Sequence, residues 1–303
     1  MSKHVVWTQW DDLEVPEGIT RLSPANRPLD TSDLSDITFY VPSYMGGRTA
    51  LEFSKKMSSL QILQMPNAGY EDALEFVRPG MTLCNGRGIH DASTAELAVG
   101  LTIASLRGFP FFALSQSRNE WNHQKFRSIN DRKIGLIGYG SIGKNIERNL
   151  SGFDVEVIPF NRSGSDGAKK ISELDQNLAT LDVVILILPL NDESRKMFNK
   201  ERLALLKDGA LLVNVARGGI VDTDALVAEL NSGRITAALD VTDPEPLPVG
   251  HPLWSARGVL IAPHVGGNTS AFEPRARRLV EAQLARLAQG KSLENVIIAG
   301  DIS

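Results

Sequence analysis

The sequence predicts an α/β fold with two domains, each built on a doubly wound parallel sheet, and a cleft between them. Its 303 residues, 42% hydrophobic and 22% charged, are enough to form two buried cores. Short apolar runs alternate with helical patterns along the chain, as they do where helices cover both faces of a parallel sheet. A G-x-G-x-x-G turn joins one apolar run to a helix.

Six strand-like runs follow one another from Lys133 onward, at 134–137, 155–160, 183–188, 210–215, 235–241 and 259–262. The run at 183–188 is uninterrupted and ends at Pro189, so it predicts a strand buried on both faces. Helical spacing lies between the strands at 199–207 and 222–231. The second of these helices begins at an Asp cap and ends near a glycine. This half of the chain is predicted to be a Rossmann-like domain.

The first ninety or so residues contain a shorter series of strand-like runs, at 5–7, 37–41, 60–65 and 81–84. They predict a smaller, flavodoxin-like α/β domain. Residues 92–107 form an apolar helix long enough to run from one domain into the other, and a final helix at 271–289 leads to a tail that could return to the first domain. The predicted division is residues 1–97 plus 275–303 for one domain and 98–274 for the other.

The glycine-rich turn predicts a dinucleotide site. Gly138, Gly140 and Gly143 follow a strand-like run and precede a helical stretch at 144–150. A strand that turns sharply into a helix, a backbone that approaches a pyrophosphate and a helix packed on the strand each need a glycine. The competing interpretation, a glycine-rich surface turn, does not account for this context. Tyr139, Ser141 and Ile142 complete the predicted pyrophosphate loop.

The next strand favours NADP over NAD as the dinucleotide. It ends in Asn161, Arg162 and Ser163, where an NAD site usually offers an Asp or Glu to the ribose hydroxyls. Asn161 lacks the charge that would repel a 2′-phosphate, Arg162 can make charge-assisted hydrogen bonds to it, and Ser163 can donate another. The alternative is that Arg162 is a solvated loop residue and the protein accepts either cofactor.

Composition limits the other classes of partner. The net charge is −4, the isoelectric point is near 5.8, and no basic stripe interleaved with aromatic residues is present, so nucleic acid is not expected. We see no signal peptide and no apolar run of membrane-spanning length. Cys84 is the only cysteine, which fits a cytoplasmic protein. No His, Cys, Asp or Glu cluster has metal-ligand spacing, so no metal is predicted.

Three polar clusters follow predicted strands, where ligands bind in open parallel sheets. Arg217 precedes two glycines, and its guanidinium suits a carboxylate and an adjacent carbonyl oxygen. Glu245 lies in a proline-rich stretch that fixes its direction. His264 also precedes a glycine pair and can move a proton near neutral pH. Alone, Arg217 could be a surface residue and Glu245 a solvated one; together the three form a catalytic set in which Glu245 orients His264.

Four stretches resemble the D-isomer-specific 2-hydroxyacid dehydrogenases: the glycine turn, Val-Asn-Val-Ala-Arg-Gly-Gly-Ile-Val-Asp at 213–222, Leu-Asp-Val followed by Glu-Pro-Leu-Pro within 239–248, and Pro-Leu-Trp with Ala-Pro-His-Val-Gly-Gly within 252–267. The resemblance implies that Arg217, Glu245 and His264 are catalytic. It also implies cofactor contacts from Leu188, Pro189, Val215, Ala216, Asp240, Gly266 and Thr94, with Asp240 bonding the nicotinamide carboxamide. Ala68 and Gly69 would bind the substrate carboxylate together with Arg217 and His264.

The resemblance further implies NADPH-dependent reduction of a small 2-keto acid, of the glyoxylate or hydroxypyruvate class, to a D-2-hydroxy acid. The substrate-binding domain would be 1–97 plus 275–303 and the dinucleotide-binding domain 98–274. A homodimer is expected, with the 92–107 region as a candidate interface. The alternatives are a formate dehydrogenase, which carries Gln where this chain has Glu245, and a nucleotide-sensing corepressor on the same fold.

The remaining histidines are weaker candidates for chemistry. His251 is expected to serve packing or turn structure, and His4 and His123 have no chemical neighbour in the sequence. His90 follows a likely strand-end loop and could face the cleft, but an exposed loop histidine is the favoured interpretation.

Overall fold

Two mainly parallel sheets organise the chain, each in its own compact unit. The computed structural model describes residues 4–300. The first unit comprises Met1–His90 and Ser270–Ser303, and the second comprises Asp91–Thr269. The sequence placed the boundaries after residues 97 and 274, whereas the structure divides the chain just before two long helices, α2 (Asp91–Leu106) and α8 (Phe272–Ala288). Helix α2 therefore lies within the second unit.

The sheet of the first unit has the order β13-β5-β4-β3-β1-β2. Its strands are β1 (His4–Trp7), β2 (Ile19–Leu22), β3 (Phe39–Tyr40), β4 (Ile62–Gln64), β5 (Thr82–Cys84) and, near the end of the chain, β13 (Val296–Ile298). The first five strands are parallel and β13 is antiparallel to β5. The order 2-1-3-4-5 is that of the flavodoxin-like fold. The sequence analysis missed β2, because Thr20 and Arg21 interrupt its apolar residues.

Alternate residues of these strands pack on opposite faces of the sheet. Val6, Phe39 and Ile62 join one buried cluster, which includes Ala276 and Val280 of α8. Their neighbours Trp7, Tyr40 and Leu63 join the other cluster, together with Leu51 of the short helix α1 (Gly47–Glu52) and Met57. Both faces of the sheet are therefore covered by apolar side chains, as the sequence predicted for a doubly wound domain.

The sheet of the second unit has the order β12-β11-β10-β9-β6-β7-β8 and is wholly parallel. The strands are β6 (Arg132–Ile137), β7 (Val155–Asn161), β8 (Lys169–Lys170), β9 (Val183–Leu186), β10 (Leu211–Asn214), β11 (Thr236–Leu239) and β12 (Val259–Ile261). This is the Rossmann order extended by one strand, so the predicted fold is confirmed. The order reverses between β6 and β9, and that crevice is where such sheets bind ligands.

Helices cover both faces of this second sheet. Besides α2 they are α3 (Phe109–Ser117), α4 (Ser141–Leu150), α5 (Leu174–Leu178), α6 (Lys200–Ala204) and α7 (Thr223–Ser232). Helix α6 is shorter than the predicted 199–207. Helix α7 has the predicted ends: the Asp222 side chain accepts a hydrogen bond from the Ala225 N–H at 3.1 Å, and Gly233 follows the last turn with φ 76°. The left-handed backbone at Gly233 explains why a glycine ends the helix.

Over residues 4–300, no single helix is long and apolar enough to cross a bilayer, although α2 and α3, bent by 65° relative to each other, meet the length and composition requirement as a pair. Helix α2 buries Ala95, Ala98 and Leu101 in the core of the second unit.

The cap at Asp222 provides a test of the fold. The Ala225 N–H and then the Lys196 ammonium, at 3.0 Å, hold the pKa of Asp222 below its ordinary value of 3.8. We expect Asp222→Ala to lower the free energy of unfolding by about 1 kcal/mol at neutral pH. Because a lowered pKa stabilises the folded state only above the ordinary value, the difference from wild type shrinks as the pH falls below 3.8.

Denaturant unfolding across a pH series checks this expectation. Asp224→Ala is the matched control, since Asp224 lies two residues further along and is exposed on the first turn of the same helix. Equal losses of stability in the two variants would show that the Asp222 cap contributes nothing specific.

Candidate active site

The glycine turn joins β6 to α4 next to the reversal of strand order. Gly138 has φ 106°, and a Cβ at this position would overlap the carbonyl of Ile187 and lie 2.9 Å from the Leu188 nitrogen. Ile187 follows β9, the neighbouring strand, and its N–H donates to the Ile137 carbonyl at 2.8 Å. Gly138 is therefore required twice, for its backbone angle and for the close approach of two chain segments.

The other two glycines have different surroundings. A Cβ on Gly143 would lie 2.6 Å from the Gly138 oxygen, so this glycine lets α4 pack against the turn. Nothing lies within 4 Å of a Cβ on Gly140, which precedes α4 and makes no side-chain cap. The turn thus leaves open space beside the first N–H groups of a helix, around Ser141 and Ile142, and that is an environment that binds phosphate. These residues fit a dinucleotide pyrophosphate.

Tyr139 and Lys144 also belong to the turn and the first part of α4. The Tyr139 hydroxyl donates to Glu147, and this hydrogen bond raises the Tyr139 pKa to about 12. Lys144 pairs with Asp166 at 2.8 Å and lies 5.8 Å from the Tyr139 ring centroid. The side chains around the turn are therefore held by neighbours of opposite charge or by hydrogen bonds.

The loop after β7 is organised by its own side chains. The Asn161 Oδ1 accepts from the Gly164 N–H at 2.6 Å and the Ser165 N–H at 3.2 Å, and its Nδ2 donates to the Ser165 carbonyl at 2.9 Å. Ser163 and Ser165 share a hydroxyl hydrogen bond of 2.8 Å. Asn161 and Ser163 therefore shape this loop, a role that the sequence analysis did not assign to them.

Arg162 is the charged residue of this loop. Its side chain is 82% exposed, and its Nη2 lies 2.7 Å from Oε1 of Glu193, which is 64% exposed. The guanidinium therefore extends from the tip of β7 to the segment that follows β9. The sequence analysis did not anticipate this ion pair.

The remaining predicted groove residues follow β9 and β10. Leu188 is half-buried and Pro189 is exposed, whereas Val215 and Ala216 are buried. Leu188 and Pro189 follow β9, which borders the reversal of strand order, and Val215 and Ala216 follow its neighbour β10. All four therefore lie at the carboxyl edge of the sheet. Their placement is compatible with the walls of a cofactor groove.

Arg217 is positioned by a buried amide. The Asn214 side chain is almost fully buried at the end of β10; its Oδ1 accepts from the Ala216 N–H and its Nδ2 donates to the Arg217 carbonyl, both at 3.0 Å. The Arg217 guanidinium is half-exposed and donates to the Ala216 carbonyl at 2.8 Å. Sequence reasoning missed Asn214, although a polar residue ending an apolar strand was a usable signal.

Gly218 brings the Arg217 turn against the segment that leads to Glu245. A Cβ on Gly218 would overlap the Thr242 carbonyl and lie 2.7 Å from the Asp243 nitrogen. Two strand-end segments, after β10 and after β11, therefore contact each other through their backbones here. This contact keeps Arg217 and Glu245 at the same edge of the sheet.

The backbone of His264 is held by Asp240. The His264 N–H donates to the Asp240 carbonyl at 2.7 Å, and His264 has the left-handed φ of 53°. Such an angle is uncommon for a residue with a side chain and is concentrated at functional sites. The Asp240 carboxylate accepts from the Val265 N–H at 2.7 Å and the Gly266 N–H at 3.0 Å.

Asp240 is 4% exposed, and burial raises its pKa even though the two backbone N–H groups act in the opposite direction. A Cβ on Gly266 would lie 2.8 Å from Asp240 Oδ2 and 3.5 Å from Thr94. Asp240, Gly266 and Thr94 therefore form one packed group beneath the His264 loop. The carboxylate binds the protein's own backbone, a role that the sequence analysis had not given it.

The His264 ring faces Glu245. Nδ1 lies 2.5 Å from Oε1 of Glu245, and the two side chains are 47% and 40% exposed. Prolines at 244 and 246 flank Glu245, each after a cis peptide bond. A carboxylate that accepts the Nδ1–H fixes the tautomer and leaves Nε2 as the second ring nitrogen for proton transfer. Of the predicted site residues, Arg217, Glu245 and His264 are thus all placed at the carboxyl edge of the second sheet.

Ala68 and Gly69 lie at the corresponding edge of the first sheet, in the loop after β4. The Ala68 carbonyl accepts from the Asn85 side chain at 2.7 Å, and a Cβ on Gly86 would lie 2.9 Å from the Asn67 nitrogen. Asn85, which is buried after β5, therefore supports this loop. Sequence reasoning had not singled it out.

Two of the other histidines have defined environments. His90 is half-buried rather than exposed, because its ring stacks 5.5 Å from Phe272 and lies 5.6 Å from Tyr44, so the favoured interpretation of an exposed loop residue was wrong. His251 accepts from the Leu253 N–H at 3.1 Å, which confirms its predicted role in a turn. Over residues 4–300, no group of three or more His, Cys, Asp or Glu side chains could hold a metal ion.

Comparison with known proteins identifies the class. Residues 99–266, more than half of the chain, match the family model of the D-isomer specific 2-hydroxyacid dehydrogenase, NAD binding domain. The chain therefore belongs to the D-isomer specific 2-hydroxyacid dehydrogenase family, whose members are NAD(P)-dependent oxidoreductases, and the sequence-based family assignment is confirmed.

Relatives of this chain are named for different reactions. A D-3-phosphoglycerate dehydrogenase of Methanocaldococcus jannaschii is 29% identical over 83% of this chain, but the match spans only 50% of that protein. A glyoxylate reductase of Thermofilum pendens is 31% identical over 77% of this chain and 73% of its own length. Among solved structures, an NADPH-dependent glyoxylate/hydroxypyruvate reductase of Sinorhizobium meliloti in complex with NADP and sulfate has a TM-score of 0.81 at 23% identity, covering 97% of this chain and 98% of that one.

The contact at Gly218 yields a second test. We expect Gly218→Ala to lower the free energy of unfolding by about 1–3 kcal/mol, because the new methyl group displaces the 242–243 backbone. The same displacement moves Glu245 away from His264, so oxidoreductase activity falls as well. Gly152→Ala is the control, since nothing lies within 4 Å of a Cβ at this exposed site and stability should be unchanged or slightly increased. Thermal unfolding that does not distinguish the two variants would contradict the contact.

Proposed function

We propose that this protein reduces a small 2-keto acid of the glyoxylate or hydroxypyruvate class to a D-2-hydroxy acid with NADPH. One observation carries the proposal: His264 Nδ1 lies 2.5 Å from Glu245 Oε1, at the edge of the sheet that also holds Arg217. A hydrogen-bonded imidazole and carboxylate beside a guanidinium can bind an acid and transfer a proton to its carbonyl oxygen.

Arg217 would bind the substrate. Its planar guanidinium can donate to a carboxylate and to the neighbouring carbonyl oxygen at once. The buried Asn214 amide fixes the backbone from which this side chain extends, through the 3.0 Å hydrogen bond to the Arg217 carbonyl. Negative charge that develops on the carbonyl oxygen would thus meet a positioned cation. Ala68 and Gly69 remain candidates for the second contact to the carboxylate.

His264 would donate the proton. A nicotinamide cofactor bound at the glycine turn supplies the hydride that reduces the keto carbon. The proton that completes the hydroxyl group comes from the protonated His264, and Glu245 stabilises that charged ring through Nδ1. The family's known chemistry makes the reaction reversible, with His264 accepting the proton in the direction of oxidation.

NADPH is the proposed cofactor, with NADH also accepted. The support lies in the loop after β7, where Asn161 bears no charge and Arg162 presents an exposed guanidinium. The Sinorhizobium meliloti structure with NADP has the same fold. The glyoxylate reductase among the relatives supports a small keto acid, whereas the phosphoglycerate dehydrogenase matches over only half its length.

We further propose a homodimer in the cytoplasm. The large apolar residues that support a dimer lie just after the predicted 92–107 region: Phe109 and Leu114 of α3 are more than half exposed, and Trp121 is 98% exposed. Large exposed apolar side chains in one segment are typical of protein contacts. The lone Cys84 thiol is buried and free, in keeping with a reducing compartment.

NADPH oxidation with a panel of 2-keto acids tests the activity. We expect turnover by wild type and a loss of about 10²- to 10⁴-fold in His264→Ala, the usual contribution of a general acid, with NADPH binding retained. His123→Ala is the control, because His123 is an exposed histidine outside the site. Cofactor binding without turnover of any keto acid by wild type would overturn the enzyme proposal and favour a nucleotide-sensing role. Equal loss of turnover and NADPH binding in His264→Ala would show that His264 is structural.

A further inference from the structure

Glu193 forms an ion pair with Arg162, the cation on which the proposed cofactor specificity depends. Its Oε1 accepts from Arg162 Nη2 at 2.7 Å. In the chain it follows β9 and stands 31 residues after Arg162, so neither the glycine motif nor the end of β7 draws attention to it. Both side chains are mainly exposed, and the ion pair is therefore accessible to a ligand that competes for either partner.

Hydrogen bonds hold the backbone turn that carries Glu193. Its N–H donates to the Asn191 side chain at 3.0 Å. The next residue, Ser194, is 2% exposed, and its hydroxyl donates to the Pro189 carbonyl at 2.7 Å and accepts from the Asn191 N–H at 2.8 Å. The turn that carries Glu193 is thus anchored to the residues that directly follow β9, on the cofactor side of the sheet.

We propose that Glu193 is a specificity-determining residue: its carboxylate competes with the 2′-phosphate of NADPH for Arg162. This inference rests on the proposed cofactor function. A carboxylate presents two oxygen acceptors in one plane, and a phosphate presents three. Either group can accept hydrogen bonds from the same guanidinium. In the absence of the phosphate, as with NADH, the Arg162–Glu193 pair persists. With NADPH, Arg162 exchanges its partner and Glu193 is left beside a second negative group.

The competition lowers the affinity of the protein for NADPH and leaves its affinity for NADH unchanged. The two affinities are therefore closer than they would be without Glu193. An exposed ion pair contributes about 0.2–1 kcal/mol, which corresponds to a factor of about 1.5 to 5 in a dissociation constant. Asp166 is a second acidic residue near this loop, but it forms its ion pair with Lys144, at 2.8 Å. Lys144 extends from α4 and not from the loop after β7. Glu193 is therefore the acidic residue that bears on Arg162 directly.

Dissociation constants for NADPH and NADH, measured by fluorescence titration at low and high salt without substrate, test the proposal. We expect Glu193→Gln to bind NADPH about two- to fivefold more tightly at low salt and NADH unchanged, with the gain reduced at high salt. Asp192→Asn is the matched control: it removes the same charge from the adjacent, exposed position, and Asp192 has no ion pair within residues 4–300. It should leave the ratio of the two constants unchanged.

Arg162→Ala completes the experiment as a double-mutant cycle. NADPH affinity should fall in this variant, and Glu193→Gln should then have a smaller effect than in wild type. An unchanged ratio in Glu193→Gln, or an equal change in Asp192→Asn, would overturn the inference while leaving cofactor binding intact. Wild type that binds neither nucleotide would instead overturn the proposed function itself.

Discussion

The buried carboxylate of Asp240 is the interaction on which the site depends. It accepts the N–H groups of Val265 and Gly266, and the Asp240 carbonyl accepts that of His264. Three consecutive backbone donors are thus held by one residue at the end of β11. This arrangement supports the left-handed backbone of His264, which costs free energy in a residue with a side chain. The ring then meets Glu245.

Burial and hydrogen bonding act on the pKa of Asp240 in opposite directions. Burial favours the neutral carboxyl group and raises its pKa, whereas the two backbone N–H groups favour the carboxylate. An uncharged Asn at this position would present N–H hydrogens to backbone donors on one side, so the geometry selects an acid. The same residue lies against Gly266 and Thr94. A residue that the family resemblance links to the cofactor therefore also supports the backbone of His264, the proposed proton donor.

Close backbone contacts bring the separate strand ends together. Gly138 lets the turn after β6 reach Ile187 after β9, and Gly218 lets the turn after β10 reach Thr242 after β11. Side chains at these two positions would separate the segments. The positions of the glycine turn and of Arg217, Glu245 and His264 are therefore consequences of one architectural feature, the convergence of parallel strands at their carboxyl edge.

Sequence patterns were informative where a local rule applied. Apolar runs and the glycine spacing predicted both sheets, and strand-end polar clusters predicted Arg217, Glu245 and His264. Roles that depend on a partner distant in the chain were not predictable: Glu193 pairs with Arg162, and the ring of Phe272 stacks on His90, whose exposure was therefore predicted wrongly. Asn214 was missed although its partners, Ala216 and Arg217, are close in the sequence. Strand β2 was missed because pairing with β1, rather than its own apolar pattern, makes it a strand.

The proposed reaction transfers a hydride from a nicotinamide to one defined face of a keto carbon. This transfer can be followed by reducing hydroxypyruvate with NADPH that carries two deuterium atoms at C4, with chiral analysis and mass spectrometry of the glycerate formed. We expect D-glycerate with one deuterium at C2. Glycerate without deuterium at C2, or the L isomer, would contradict the proposed reaction.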